Sequence, residues 1–378
     1  MRRVAGVAVI VAVLAAAGSA NGAPAVAAAE ESATEPTAPS CQRLTLRERA
    51  AQTVMTGIPT TRATAKTVRL VERHAGSVIL LGNNIVDAEQ LLRLTRALRR
   101  NAPRRMLVAV DEEGGRVSRL GSKGIVDHLP SARTLARRKT PAQIRRLGAR
   151  LGRQMAAVGM DWNFAPVLDV ADAQRDTVIG DRSYSGDPAV VAKKGRAFAE
   201  GLRAEGVMTT GKHFPGHGRT TVDSHDRLPT IRASRERLLR RDVRPFAAAL
   251  PALDAVMSAH VRYTALDRKR PASLSKAATR LLRQDLDYRG LLVTDSLIMG
   301  AITRHRTVPQ AAEQALLAGA DIVLVPDWNI TRTVTTRLAT AVREGRVTRH
   351  RLDRAVGRVL AAKGYGAARI DCLLGRAD

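Results

Sequence analysis

Residues 206–225 read Gly-Val-Met-Thr-Thr-Gly-Lys-His-Phe-Pro-Gly-His-Gly-Arg-Thr-Thr-Val-Asp-Ser-His. The first five residues form a short run of the kind found in a buried strand. Pro215, Gly216 and Gly218 then forbid a continuing helix. The sequence therefore predicts a strand followed by a loop that carries a lysine, three histidines and an aspartate. Loops displayed by a rigid scaffold often carry reactive side chains.

The same pattern, an apolar run ending in polar or glycine residues, recurs along the chain. We predict eight strands, at residues 54–57, 77–81, 106–110, 162–168, 206–210, 255–259, 291–294 and 321–325. Segments with helical periodicity alternate with them, for example 88–100, 143–158, 189–205, 235–250, 276–286 and 308–318. This alternation predicts an α/β fold, a single (β/α)8 barrel of the TIM type. A doubly wound open sheet is the alternative, but Gly57-Ile58-Pro59 lacks the glycine-rich turn that it needs.

The termini divide the 378 residues into four predicted segments. Residues 1–29 have two charged residues, an apolar core and small residues at candidate cleavage sites, as in a secretory signal peptide. Residues 30–43 are rich in Ala, Glu, Pro, Thr and Ser, as in a disordered linker. The barrel domain is predicted at 44–372, with the last outer helix at 347–363 capped by Thr348, and residues 373–378 form a tail. We expect a secreted, extracellular protein without a membrane span after signal removal.

The chain has two cysteines, Cys41 and Cys372, one at each end of the predicted domain. In an oxidising compartment they can pair if the termini meet, as the first and last elements of a closed barrel do. We therefore expect a Cys41–Cys372 disulfide. The alternative is that the two cysteines do not pair and are simply two unrelated small residues. Cys41 lies too far beyond the apolar core of the leader to suit a lipoprotein signal.

The formal charge of +27 arises from 62 Lys and Arg against 35 Asp and Glu. Such a balance favours anionic surroundings, such as nucleic acid, anionic lipid or an acidic cell-wall polymer. Aromatic residues make up only 3% of the chain, so few side chains could stack on nucleic-acid bases. Because the chain also carries a predicted export signal, we expect an acidic cell-wall polymer, and not nucleic acid, as its anionic partner.

Active sites of (β/α)8 barrels lie at the carboxyl ends of the strands. The sequence places polar residues at these ends: Asp111, Glu112, Asp169, Lys212, His213, His260 and Asp295. Asp223 and His225 follow the fifth strand, and a carboxylate that orients an imidazole makes a general acid/base. A metal site is the alternative for the histidines. However, His213 and His217 cannot share a helical face across Pro215, and no His-x-His completes a cage.

Six segments together carry a resemblance to a known family: Asp111-Glu112-Glu113-Gly114-Gly115-Arg116-Val117, Asn163-Phe164-Ala165-Pro166-Val167-Leu168-Asp169-Val170, Gly180-Asp181-Arg182-Ser183-Tyr184, Lys212-His213-Phe214-Pro215-Gly216-His217-Gly218 with Asp223-Ser224-His225, Met257-Ser258-Ala259-His260-Val261 and Val293-Thr294-Asp295-Ser296-Leu297. They resemble glycoside hydrolase family 3, specifically its bacterial β-N-acetylglucosaminidase branch. The resemblance spans most of residues 44–325.

The resemblance implies a retaining exo-β-N-acetylglucosaminidase that releases non-reducing β-GlcNAc from muropeptides or chitooligosaccharides, without metal or cofactor. Asp295 would be the nucleophile that forms a covalent glycosyl-enzyme, and His225, oriented by Asp223, the acid/base. The positions that match sugar-binding residues of the branch are Asp111, Arg119, Arg182, Lys212 and His213.

Ordinary structural roles compete with several of these assignments. Asp295 could be a helix N-cap, Arg182 could form a loop ion pair, and Lys212 could only neutralise a carboxylate in the barrel mouth. We expect Asp169 and His217 to be structural, and His260 to be either a supporting hydrogen-bond partner or a substrate contact. Glu112 and Glu113 are the other candidate acids.

Two positions depart from the pattern of the branch: Arg219 stands where an Asp is frequent, and Glu112 where Gln or His is common. They affect the resting position of the loop more than the reaction. The alternative functions are a β-glucosidase of the same family and a non-catalytic binder of anionic cell-wall polymer. An imidazole acid/base adds no negative charge to the loop, so phosphate could replace water as the acceptor.

Overall fold

The computed structural model describes residues 42–172 and 177–376. The predicted signal peptide, most of the linker, Cys41 and the last two residues lie outside the described residues. None of the helices in the described part is long and apolar enough to cross a membrane.

Twelve strands are present in the described residues: β1 Val54–Thr56, β2 Ser77–Ile79, β3 Leu107–Val110, β4 Glu112–Gly114, β5 Val117–Ser118, β6 Trp162–Asn163, β7 Met208–Phe214, β8 Thr230–Ile231, β9 Ala255–Ser258, β10 Arg262–Tyr263, β11 Leu291–Ser296 and β12 Ile322–Val325. Eight of them close a barrel in the order β1-β12-β11-β9-β7-β6-β3-β2. Every neighbouring pair in the barrel is parallel. The predicted (β/α)8 barrel is confirmed, and each predicted strand overlaps one barrel strand.

The helices of the described residues are α1 Leu46–Gln52, α2 Ala65–Arg73, α3 Ala88–Asn101, α4 Ala132–Arg138, α5 Pro141–Ala157, α6 Pro188–Ala204, α7 Arg235–Arg237, α8 Arg244–Ala249, α9 Lys276–Arg280, α10 Gly300–Thr303, α11 Val308–Ala318, α12 Thr331–Arg343, α13 Arg349–Ala362 and α14 Ala367–Leu374. Local capping sets several of their starts; Thr348, for example, accepts a hydrogen bond from the Arg351 backbone N–H at the start of α13, as predicted. The predicted helix 235–250 contains a π-helical stretch, Leu238–Val243, between α7 and α8.

Alternation along the barrel strands divides the core into two layers. One set of side chains fills the barrel, with Trp162 and Phe164 packed edge to face beside Met55, Val293 and Leu324. The other set packs the strands against the outer helices. Because the barrel interior is filled, a site can form only at its ends, from the strand ends and the loops that follow them.

The two ends of the described barrel domain meet, as expected for a closed barrel. The Leu44 backbone N–H donates to the Leu373 carbonyl at 2.8 Å. Leu373 and Leu374 are buried, so the compact domain extends past residue 372, where we predicted the tail to begin. The expected Cys41–Cys372 disulfide stays a prediction, because Cys41 lies outside the described residues. A count of free thiols in denatured, unreduced protein tests it.

The amino end of the barrel buries a lysine. Lys363 is 1% exposed, and its Nζ donates to the Gln52 side-chain carbonyl and to the Gly76 carbonyl, both at 2.6 Å. Burial, with smaller contributions from Arg104 and Arg105, lowers the pKa of Lys363 to about 7. The folded protein therefore favours the neutral amine, since burial penalises the charged form.

This burial predicts a pH dependence of stability. Between pH 7 and the unfolded-state pKa of about 10.4, the unfolded chain binds a proton that the folded chain does not. The free energy of unfolding of the wild type, relative to Lys363→Met, should therefore rise with pH across this window, by at most about 1.4 kcal/mol per pH unit. Urea titrations at several pH values measure it, with Lys276→Met on the surface as the control. Parallel pH profiles for wild type and Lys363→Met would contradict the expectation.

Candidate active site

A cavity of about 450 Å³ opens where the carboxyl ends of the barrel strands meet. It is lined by all eight residues that the sequence singled out for catalysis or sugar binding: Asp111, Arg119, Arg182, Lys212, His213, Asp223, His225 and Asp295. They come from the ends of three strands and from three loops, so the barrel brings together groups spread over about half of the chain.

Asp295 lies near the end of β11, and its Oδ1 accepts a hydrogen bond from the Ser296 backbone N–H at 2.7 Å. Burial would raise its pKa, but His213, His260 and this N–H together hold the pKa below the ordinary value for an aspartate. Asp295 is therefore an ionised carboxylate facing the cavity, as a nucleophile must be. It does not cap a helix, because α10 begins only at Gly300.

His225 and Asp223 form the predicted pair. The His225 Nδ1 lies 2.8 Å from Asp223 Oδ1, which also accepts the His225 backbone N–H at 2.9 Å. Burial raises the pKa of Asp223, but these two hydrogen bonds outweigh it and the pKa lies below the ordinary value. The carboxylate thus holds the proton on Nδ1 and leaves Nε2 to exchange a proton with a substrate. The His225 side chain is 70% exposed, so a substrate can reach it.

The loop that carries His225 is fastened to the segment that follows Asp295. The Gly300 N–H donates to the His225 carbonyl at 2.7 Å, and the Ala301 N–H donates to the Ser224 carbonyl at 3.1 Å. A side chain at position 300 would collide with this loop, since an ideal Cβ there would lie 2.6 Å from the His225 oxygen. The start of α10 therefore positions His225 relative to Asp295.

A network of opposite charges forms the floor of the cavity. The Lys212 Nζ lies 2.6 Å from Asp111 Oδ1 and 2.6 Å from Glu113 Oε1. Arg182 donates from Nε and Nη2 to the two Glu113 oxygens, each at 2.8 Å. Burial opposes charge on Glu113, but the two cations outweigh it and hold its pKa well below the ordinary range. Glu113 is thus a permanent anion that organises two cations, and it is not the alternative proton donor.

Glu112 faces away from the cavity and supports the short hairpin of β4 and β5. Its carboxylate accepts the Ser118 hydroxyl and, at 2.7 Å, the Leu120 backbone N–H. Burial raises its pKa more than these bonds lower it. Gly114 and Gly115 form the turn of the hairpin with φ of +88° and +56°, a region that favours glycine. Glu112 therefore holds the segment that carries Arg119, and is not a candidate acid either.

Asp169 and His217 have supporting roles, as expected. Asp169 is fully buried and accepts from the backbone N–H groups of His213 and His217, and its Oδ2 lies 2.7 Å from His213 Nδ1. His217 bridges the hydroxyls of Thr220, at 2.7 Å, and Ser224, at 3.0 Å. Burial and the nearby His213 lower the pKa of His217 to about 4, so this ring is neutral at pH 7. It braces the loop beside His225.

The contacts of His260, Arg219 and Asp181 show what each of these side chains holds in place. The ring nitrogens of His260 lie 2.7 Å from the Ser273 hydroxyl and 2.9 Å from the Ser296 carbonyl, so His260 supports β11 and is not among the residues lining the cavity. Arg219 is paired at 2.8 Å with the buried Asp242, which fastens the loop beyond Gly218. Asp181 pairs with Arg116, so it is not the partner of Arg182.

One prediction was wrong in detail. Lys212 and His213 were placed in a loop, but β7 continues to Phe214 and both lie on the strand. They are therefore held by the barrel itself. The sequence also did not indicate that Glu113 holds Lys212 and Arg182 in place, or that Gly300 contacts the His225 loop. The glycine pair after Glu113 could have indicated a tight turn that aims the carboxylate inward.

Within residues 42–172 and 177–376, no three His, Cys, Asp or Glu side chains are grouped so that they could hold a metal ion. The lining instead combines hydrogen-bond donors of Arg and Lys with carboxylate acceptors, which suits a ligand rich in hydroxyl groups. An ionised carboxylate and an oriented imidazole at the mouth of a (β/α)8 barrel are the groups that covalent hydrolysis requires. Fold and site together define a hydrolase of polar, hydroxylated substrates.

Comparison with known proteins specifies this class. Residues 45–362 match the family model described as glycosyl hydrolase family 3 N terminal domain. The chain belongs to glycoside hydrolase family 3 and is a glycoside hydrolase. It is 40% identical over 332 residues to the beta-hexosaminidase LpqI of Mycobacterium tuberculosis, covering 85% of this chain and 83% of the relative. It is 39% identical over 261 residues to a beta-hexosaminidase of Pseudomonas aeruginosa, covering 68% and 77%.

Solved structures agree with this assignment. A family 3 β-N-acetylglucosaminidase from a Paenibacillus species superposes with a TM-score of 0.82 at 37% identity, over 87% of this chain and 63% of that protein. A family 3 glycosyl hydrolase from Mycobacterium smegmatis superposes with a TM-score of 0.77 at 38% identity, over 85% of this chain and 98% of that protein.

The charge network predicts unequal roles for two adjacent glutamates. Glu113→Gln would leave the buried Lys212 and Arg182 without their shared anion, so we expect a loss of about 3–5 kcal/mol in the free energy of unfolding. Glu112→Gln, the matched control, disturbs only hydrogen bonds and should cost about 1–3 kcal/mol. Denaturant titration of both variants measures the difference. Equal losses in the free energy of unfolding of the two variants would mean that the ion cluster adds no stability beyond that of ordinary hydrogen bonds.

Proposed function

We propose that the protein is a retaining exo-β-N-acetylglucosaminidase. The observation that carries this proposal is the placement of an ionised Asp295 and the Asp223–His225 pair on one cavity whose floor is the Lys212, Arg182 and Glu113 network. The names of the relatives, beta-hexosaminidase and β-N-acetylglucosaminidase, support the choice of sugar.

In the first step of the proposed reaction, the Asp295 carboxylate attacks the anomeric carbon. The bond to the leaving oxygen breaks while His225 donates its Nε2 proton to that oxygen. In the second step, neutral His225 takes a proton from water, the hydroxide attacks the same carbon, and Asp295 is released. Two inversions retain the β configuration. Proton NMR of the fresh product tests this, since initial appearance of the α anomer would exclude it.

The charged residues of the cavity then bind the sugar. Asp111 can accept from hydroxyl groups, while Lys212, Arg182 and Arg119 donate to them. Lys212 and Arg182 are already held by Glu113, so little conformational entropy is lost when a sugar binds. A β-glucosidase of the same family is the alternative, and a comparison of the two p-nitrophenyl glycosides distinguishes them.

We further propose that the enzyme is exported and acts on GlcNAc-containing cell-wall fragments. The support is the predicted signal peptide at residues 1–29 and the net charge of +27, which favours the acidic wall. GlcNAc release from muropeptides and from chitooligosaccharides, measured side by side with protein from the culture medium, tests both parts. Protein retained inside the cell would contradict the export.

The catalytic assignment predicts the behaviour of three variants. Asp295→Ala should abolish release of p-nitrophenol from the β-N-acetylglucosaminide, because no covalent intermediate can form. His225→Ala should lose about 10²–10⁴-fold in kcat on a disaccharide, the usual contribution of a general acid/base. The loss should be smaller on the aryl glycoside, whose leaving group needs no proton. His350→Ala, on the exposed surface of α13, is the control and should retain activity.

These assays should be run with and without EDTA. Activity that EDTA does not change fits the covalent mechanism. EDTA-sensitive activity, or full activity in Asp295→Ala, would reject it.

A further inference from the structure

A second cavity, of about 390 Å³, lies on the other side of the His225 loop. We call it the basic pocket. Its charged lining consists of Arg227, Arg262, Lys269, Arg304 and Arg306, together with His305. No carboxylate lines it. The five cations come from three segments: Arg227 from the His225 loop, Arg304 and Arg306 from the residues after α10, and Arg262 and Lys269 from β10 and the residues after it.

The five cations of the basic pocket have no anionic partner among the described residues. Several arginines elsewhere do pair with carboxylates, as Arg283 does with Asp321 and as Arg337 and Arg346 do with Glu313. In residues 42–172 and 177–376, by contrast, no carboxylate oxygen lies within 4.0 Å of a side-chain nitrogen of the five cations.

The hydrogen bonds that these side chains do make go to neutral groups. Arg262 donates to the Thr230 hydroxyl, at 3.1 and 2.8 Å, and Arg306 donates to the Gln314 side chain. Arg304 donates from Nε to the Asp226 carbonyl at 2.6 Å, and its guanidinium has no second acceptor in the described part of the chain. Like charges gathered in one concave place repel each other unless an anion joins them.

We propose that the basic pocket binds a phosphate group, either free or carried by a larger molecule. Guanidinium groups match the geometry of phosphate oxygens, and a lysine adds a point charge. The pocket is distinct from the catalytic cavity, with which it shares no lining residue.

Occupancy of the basic pocket would act on the loop that carries His225. Arg227 belongs to this loop, whereas Arg304 and Arg306 belong to the segment on which the loop is docked. Arg304 already holds the loop through the Asp226 carbonyl. A phosphate between Arg227 and these residues adds a second link, so the bound anion holds the loop against α10.

The binding test uses Lys269→Gln/Arg306→Gln, which removes two pocket cations that do not contact the His225 loop. The control, Arg96→Gln/Arg100→Gln, removes the same charge from a separate groove beside α3. Calorimetry with inorganic phosphate and with a glycerol-phosphate polymer should show binding to wild type and control, at low salt, and binding about tenfold or more weaker to the pocket variant.

The two ligands distinguish the source of the phosphate. Tight binding of the polymer with weak binding of inorganic phosphate indicates an anionic polymer, and the reverse indicates the free ion. Equal affinities of the pocket variant and the control for both ligands would overturn the proposal. So would loss of binding only in Arg119→Gln, because phosphate would then lie in the catalytic cavity.

A second readout needs no glycosidase activity and is therefore independent of the proposed function. Arg227 is exposed, and trypsin cleaves after arginine. Phosphate should slow cleavage after Arg227 in wild type and in the control variant, but not in the pocket variant, while cleavage at other exposed sites stays unchanged. Equal cleavage rates with and without phosphate in wild type would contradict the link between loop and α10.

Discussion

The site depends on one buried anion, Glu113. It accepts two hydrogen bonds from Arg182 and lies 2.6 Å from the Lys212 ammonium, so it joins the short hairpin after β3, the turn at Gly180–Arg182 and strand β7. Two buried cations without this carboxylate would repel each other in a medium of low dielectric constant. The cluster therefore stabilises the arrangement that makes the cavity polar, and it holds the donors that we propose bind the sugar before a substrate arrives.

Different contacts position His225, the proposed acid/base. His225 lies on a loop, and its exposure lets a substrate in, but exposure alone would leave the ring mobile. Hydrogen bonds from Gly300 and Ala301 to the loop carbonyls, and the brace of His217 on Ser224, fix the loop without burying the imidazole. Because α10 follows the strand of Asp295, the proposed nucleophile and the proposed acid/base are held by the same segment. The basic pocket lies on the far side of the His225 loop and places further positive charge where this loop contacts the α10 segment.

Much of the fold was predictable because each barrel strand is a local signal. A short apolar run bounded by polar residues needs no knowledge of distant residues, and each of the eight runs overlaps a barrel strand. The alternation predicted helices between the strands, but no bounds were predicted for α1, α2, α4, α10, α12 and α14, although Thr64 caps α2 and Leu373 of α14 is fully buried. The end of β7 was also missed, because Lys212 and His213 are polar side chains on a strand and are stabilised there only by Asp111, Glu113 and Asp169.

The sequence by itself determined the class of fold and eight of the residues that line the cavity, partly because strand ends in a (β/α)8 barrel face one side and partly through the resemblance to glycoside hydrolase family 3. Only the tertiary structure decided what the glutamates do. Glu112 and Glu113 are neighbours with identical side chains, yet one is turned toward backbone N–H groups of its own hairpin and the other toward two cations from remote segments. A carboxylate's role follows from the charges around it, and those charges are set by folding, not by adjacency in the chain.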